Sequence, residues 1–284
     1  MPSLSDVATP DAAKLARQAA AAQGQTPQPD LPDVDQDALT EFLQRMGDNT
    51  LILGHRCSEW CGHSPVLEED IALANMALDL IGQTQLWLGL AGEVEGKGRD
   101  ADKLAYRRDA WDFRNLLLVE RPNGDFGATI MRQFLFDAWH FHMLTALTQS
   151  ADHRVAEIAA KALKEVSYHL ERSSELVIAL GDGTDESHQR MQDALDDQWT
   201  YAGEMFLTDD TDRTVAAAGI APDPASLRAA WDKTLAEVLD AATLKRPETD
   251  YVHKGGRQGR HTEHLGYILA DMQFLQRAYP DAEW

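Results

Sequence analysis

From about Asp37 onward, apolar residues recur every three to four positions, the spacing of helices that each bury one face. Ile71, Ala74, Leu78, Ile81 and Leu88, with Gln85 as a polar member, show the period and predict a helix from about Pro65 to Glu95. Gly92, Gly96 and Gly98 punctuate its exit. A first helix is predicted from about Asp37 to Cys61, stopped by Gly62 and Pro65. After a short helical piece over 101–110 come an irregular apolar segment, Phe113 to Val119, and a turn at Pro122–Asn123–Gly124. Three long helices are predicted over about 126–149, 153–180 and 185–207. A further helix covers about 223–242, with Pro222 and Pro224 near its start, and the last covers about 262–278.

No alternating strand pattern and no short internal repeat emerges. The class is all-α: long helices joined by modest loops bury their apolar stripes as a four-helix bundle, here with additional C-terminal helices. Residues 1–35 are expected to be a flexible tail, because Pro27, Pro29 and Pro32 block helix, although 11–23 has the composition for a transient one. Residues 36–284 form the helical domain, with its C-terminal extension.

Charge narrows the partners. The formal net charge is -21, from 47 acidic and 26 basic residues, which argues against nucleic acid and against anionic membrane surfaces. No apolar run approaches the roughly 20 residues of a membrane span, and no secretion signal opens the chain. With only Cys57 and Cys61 there is no disulfide framework, so a reduced, cytoplasmic setting is expected.

Helical bundles often hold two metals, through one Glu from each of two helices and a Glu-x-x-His pair from each of the other two. Residues three apart share a helical face, so carboxylate and imidazole reach one cavity. The long helices carry only part of this set. Glu59 lies between His55 and His63 at four-residue intervals, beside Arg56. Asp79 is followed three residues later by Gly82. Asp137 is followed by His140, whereas Glu165 is followed by Tyr168 at three residues and His169 at four. Glu59, Asp79, Asp137, His140, Glu165 and His169 thus read as an eroded di-iron pocket. No catalytic residue, metal ligand or cofactor is expected in this chain. An acidic cavity without metal needs another neutraliser, for which Arg56, His140 and His169 are candidates. The plainer readings are solvated carboxylates and core histidines. The alternative is an active di-iron oxygenase that uses these six residues as an atypical ligand set.

Other features have bland and sharp readings. Cys57 and Cys61, close to His55 and His63, suit zinc, but cysteines on a helical face are more often small core residues. Gly255-Gly256-Arg257-Gln258-Gly259-Arg260-His261 resembles a phosphate cradle before a helix, yet is not a Walker motif. It reads better as a basic loop docking on an acidic partner or on the chain's own acidic body; contact with coenzyme A phosphates is the minority reading. Trp60, Trp111, Trp139, Trp199 and Trp231 are core residues or interface anchors.

Several blocks together carry a family resemblance. They are Glu59-Trp60-Cys61-Gly62-His63, Asp70 to Asn75, Leu78 to Gln83, Asn115 to Glu120 with Pro122-Asn123-Gly124, His261 to Gly266, and Met272 to Arg277 with the final Trp284. In order and spacing they resemble the structural component, the C subunit, of the bacterial phenylacetyl-CoA ring 1,2-epoxidase, from about residue 37 to the end. The resemblance implies a ferritin-like fold and a structural role. It implies pairing with a homologous catalytic A subunit that holds the di-iron centre. It also implies further components, including a reductase, that deliver electrons from NADPH for epoxidation of the ring with O2. None of the family's catalytic residues carries over onto this chain.

Overall fold

The structure is a computed structural model in which residues 31–280 and 282 are described. The expected tail, 1–35, lies outside the described residues except for 31–35, which form no helix; so do residues 11–23 and Trp284. Among the described residues there are ten α-helices and no strand. They are α1 (Gln36–Ser58), α2 (Leu67–Glu95), α3 (Ala101–Tyr106), α4 (Leu117–Glu120), α5 (Phe126–Leu147), α6 (His153–Gly181), α7 (Asp185–Ala202), α8 (Asp210–Ala217), α9 (Arg228–Ala241) and α10 (Glu263–Ala278).

Local chemistry explains where they begin. Asp35, Asp100, Asp125, Asp152 and Asp209 each accept a backbone N–H at the start of α1, α3, α5, α6 and α8. Thr184 and Ser187 form a reciprocal capping box at α7. Part of the negative charge therefore sits at helix N-termini, where backbone donors and the helix dipole favour it.

Four long helices make the bundle. α1 runs along α2, α5 runs along α6, and α2 meets α6 to join the two pairs. Gly47 and Gly54 of α1 give the close approach, lying against Leu88 and against Ile81 and Leu80. α7 and α9 pack on α5 and α6, α8 on α1, and α10 on α3 and the 3-10 turn at Ala110–Asp112. One core runs through all of these, from Leu39 and Phe42 through Trp87 and Phe134 to Trp231 and Leu269.

α1 is buried on nearly every side between Leu39 and Leu53, polar residues included. Its central polar groups have assigned partners. Arg45 pairs with Glu41, Asp209 and Asp212. Asp48 pairs with Arg108 and accepts the Arg114 N–H at 2.8 Å. Asn49 accepts the Leu116 N–H at 2.8 Å, and Thr50 bonds Thr84 at 2.8 Å. The irregular segment 108–120 is thus fastened to the centre of the bundle by polar residues of α1.

The glycine-rich loop completes this fastening. Glu204, fully enclosed, accepts N–H groups from both Gly255 (2.8 Å) and Leu117 (2.9 Å). Arg257 donates to Asp212, and Glu120 accepts from the Thr262 N–H at 2.6 Å and contacts His261 at 2.9 Å. The docking of this loop on the chain's own acidic body is therefore what the structure shows. A Cβ on Gly256 would run into the carbonyl oxygen of Asn115, and one on Gly259 into that of Trp111. Gly256→Ala is expected to cost about 1–3 kcal/mol of stability, measured by urea unfolding, because backbone rather than a flexible side chain must yield. An unchanged midpoint would show that the loop is free rather than docked.

Some boundaries differ from the sequence reading. α1 stops at Ser58, four residues before Gly62, whose positive φ of 80° serves the following turn instead. The helix expected over 185–207 ends at Ala202 and passes into a 3-10 turn, Gly203–Phe206, where Gly203 is crowded by Val252. α8 was not expected; the Asp209–Asp212 capping box that starts it was present in the sequence.

Candidate functional site

The bundle interior is where helices of this kind converge donors on metals, and five of the six candidate residues stand on helices bordering it. Glu59 does not. It follows the end of α1, is exposed, pairs with Arg56 at 3.0 Å and accepts from Asn123 at 2.8 Å. Arg56 itself is engaged by Glu59 and the Glu120 carbonyl, so it neutralises no interior acid.

The rest are wired through individual hydrogen bonds, with His169 lying near Asp79, Asp137 and His140. Asp79 of α2 meets His169 Nε2 of α6 at 3.0 Å. Glu165 of α6 accepts from the Gln83 amide of α2 at 2.9 Å. Asp137 of α5 is fully buried and accepts from Gln133 at 2.7 Å and from Ser173 Oγ at 2.9 Å. The Gln133 carbonyl oxygen in turn accepts the Cys57 thiol at 3.3 Å. His140 packs between aromatic rings, 5.1 Å from Phe136 and 6.1 Å from Trp139 between centroids, and neither of its nitrogens has a protein partner. Of the three expected neutralisers, Arg56 pairs with exposed Glu59, His169 with Asp79, and His140 with no acid.

Burial dominates the electrostatics. It raises the Asp137 carboxyl to about 6, against the opposing pull of His169, Gln133 and Ser173. Burial, then the neighbouring His169, pushes His140 down to about 3, so its ring is neutral at physiological pH. Burial likewise pushes the Cys57 thiol up to about 12, which makes it an inert core group. Cys61 is exposed whereas Cys57 is buried, so the pair does not frame a zinc site.

A di-iron centre needs bridging carboxylates and imidazoles aimed at one point. Here the carboxylates are each engaged by amide, hydroxyl or imidazole partners. Among the described residues no three His, Cys, Asp or Glu side chains gather with metal-binding spacing. The donor set does not fit two irons. Gln83, Gln133 and Ser173 are the interior residues that sequence reasoning missed. Each lies four positions from a candidate — Asp79, Asp137 and His169 respectively — so helical spacing could have revealed them.

Asp137 gives a pH-dependent expectation. Its folded value near 6 lies above the ordinary 3.8. The folded chain therefore holds a proton that the unfolded chain has released, and this contribution to stability is lost as pH rises through about 6. Asp137→Asn keeps the hydrogen bonds without the charge. It is expected to be more stable than the parent at pH 7.5 by about 1–3 kcal/mol and nearly equal to it at pH 4. Urea titrations at both pH values check this; a variant weakened more at pH 7.5 would show that the anion is required.

Against this geometry, comparisons with known proteins are decisive. The profile of the phenylacetic acid catabolic protein family matches residues 17–284. The chain belongs to that family. Its helical architecture is the family's ferritin-like fold. The C subunit of the 1,2-phenylacetyl-CoA epoxidase of Escherichia coli (strain K12) is 48% identical to it over 246 residues, covering 87% of this chain and 99% of that protein. The phenylacetic acid catabolic family resemblance seen in the sequence blocks is thus confirmed. No helix among the described residues is long and apolar enough to cross a membrane.

Proposed function

We propose that this chain is the non-catalytic, structural subunit of a phenylacetyl-CoA 1,2-epoxidase complex in aerobic phenylacetate breakdown, pairing with and stabilising a homologous subunit that carries the di-iron centre. The relative's name supports membership of such a complex. The observation that carries the structural role is the partnering of Asp79, Asp137 and Glu165 by His169, Gln133, Ser173 and Gln83. Each acid is held by a partner within the chain, and among the described residues no three His, Cys, Asp or Glu side chains gather at one point for a metal.

A docking face is available for the partner. Leu67 and Leu78 of α2 are each 70% exposed, and Ile71 lies between them on the same side at helical spacing. Gly82 continues this stripe, with open space where a Cβ would sit, and Tyr168, next to His169, is exposed at the level of Leu78. Apolar and small residues in one stripe suit the close packing of another helix.

The test is a double variant, Asp137→Asn with His169→Gln, co-expressed with the homologous oxygenase subunit and supplied with the reductase, NADPH and phenylacetyl-CoA. Turnover is expected to stay within about twofold of the parent complex, since neither residue touches the reacting atoms. A fall of more than about tenfold with the complex intact would overturn the reading.

A further inference from the structure

The last helix offers a second unpartnered face. Leu265, Ile268, Leu269 and Met272 of α10 are buried, whereas Gly266, Tyr267, Ala270 and Phe274 are exposed, Tyr267 at 72% and Phe274 at 64%. Gly266, Ala270 and Phe274 follow at four-residue intervals and form one line along the helix. A Cβ on Gly266 would meet nothing within 4 Å. Beside this line lies an open groove of about 620 Å³, bounded by Asp109 and Ala110 and reaching Arg277. Trp111, next in the chain, is 74% exposed.

The line is self-complementary about its midpoint. In two antiparallel copies of α10 related by a two-fold axis at Ala270, each residue faces the one equally far on the other side. Gly266 of one copy then faces Phe274 of the other, a ring opposite a gap. Seven residues out from Ala270, Glu263 faces Arg277, and both are exposed and opposite in charge. Glu263 would join Asp109, which already pairs with Arg277 at 2.8 Å. Glycine and alanine at the crossing let the helix axes approach to about 8 Å.

We infer that two copies of this chain associate through α10 in a two-fold dimer centred on Ala270, with Phe274 as the anchoring side chain. A two-fold interface uses one patch on both subunits, so the patch must complement itself in shape and charge. A partner of unrelated fold would impose no such internal symmetry on the helix. Aromatic anchors set against small residues are the usual source of interface energy. A formal charge of -21 on each copy opposes the encounter at long range. The dimer therefore strengthens as added salt screens that repulsion. The face is carried by a different helix from the α2 stripe, and the inference stands whether or not the oxygenase subunit docks there.

Sedimentation equilibrium of the full chain, from about 1 to 200 µM, is expected to show a monomer–dimer equilibrium in the micromolar range, typical of a small interface. Phe274→Glu should weaken it by at least about 30-fold with unchanged circular dichroism. Ala270→Cys in a Cys61→Ser background should cross-link to a covalent dimer with oxidised glutathione, because a cysteine on the axis meets its own copy. Leu78→Cys in the same background should not. A chain that stays monomeric across the range would overturn the inference. So would a dimer indifferent to Phe274→Glu, or cross-linking through Leu78→Cys instead of Ala270→Cys.

Discussion

Replacing Asp48 by alanine is expected to destabilise the chain by about 3–5 kcal/mol, lowering Tm by roughly 6–20 °C for a domain of this size. Asp48 is fully buried and pairs with Arg108, whose side chain is equally enclosed. It also accepts the Arg114 N–H at 2.8 Å. Removing the carboxylate strands a buried guanidinium and a backbone donor together. Arg108 retains the Asp112 carbonyl at 3.1 Å and the face of the Phe113 ring at 4.3 Å, but neither supplies a full negative charge. Asp48→Asn, which keeps an acceptor, should lose less. The exposed pair of Lys233 and Glu237, 3.9 Å apart, provides the contrast: Lys233→Ala should leave Tm unchanged. Differential scanning calorimetry of the three variants measures this, and equal Tm values for Asp48→Ala and Lys233→Ala would refute the fastening role given to α1.

Leu78→Arg is expected to abolish stable association with the homologous oxygenase subunit, by about 30- to 1,000-fold in affinity, while leaving the fold intact. Leu78 is exposed, so its replacement removes no core contact. A guanidinium in the middle of an apolar helix–helix contact would be buried without an acid opposite. Co-purification and titration calorimetry with the oxygenase subunit read the effect. Retention of the complex would move the docking face away from α2.

Much of the architecture was legible in the sequence because amphipathic helices write their period directly. α2, α5 and α6 fall within a few residues of the segments read from spacing alone. Aspartates cap the starts of five of the ten helices, and Gly96, with a φ of 68°, ends α2 as its position suggested. Failures came where tertiary contacts decide. α1 is buried all round, so its polar residues gave no sign that Asp48 and Asn49 reach the segment around Arg108–Leu116. The docking of the glycine-rich loop on the chain's own acidic body was among the favoured readings, but the acids that hold it, Glu120, Glu204 and Asp212, lie 45 or more residues away and could not be named from the sequence.

The interior was legible in kind but not in wiring. Spacing showed that the Glu-x-x-His pairs were broken at Gly82 and Tyr168. It did not show that Gln133 would bridge Cys57 and Asp137, or that Glu59 would lie beyond the end of its helix. A glutamine four residues from an aspartate is common on any helix, and only the fold reveals that both turn inward. The tryptophans divide the same way: Trp231 is enclosed and donates to the Leu135 carbonyl at 3.0 Å, while Trp111 stands in the open.

The most direct test counts iron on each subunit. The chain would be co-expressed with the homologous oxygenase subunit in iron-replete cells, and the two separated under non-reducing, chelator-free conditions before metal analysis. About two irons per oxygenase subunit, with less than about 0.1 per copy of this chain, is the expected result. Two irons per copy of this chain, lost on Asp137→Asn with Glu165→Gln, would contradict the account.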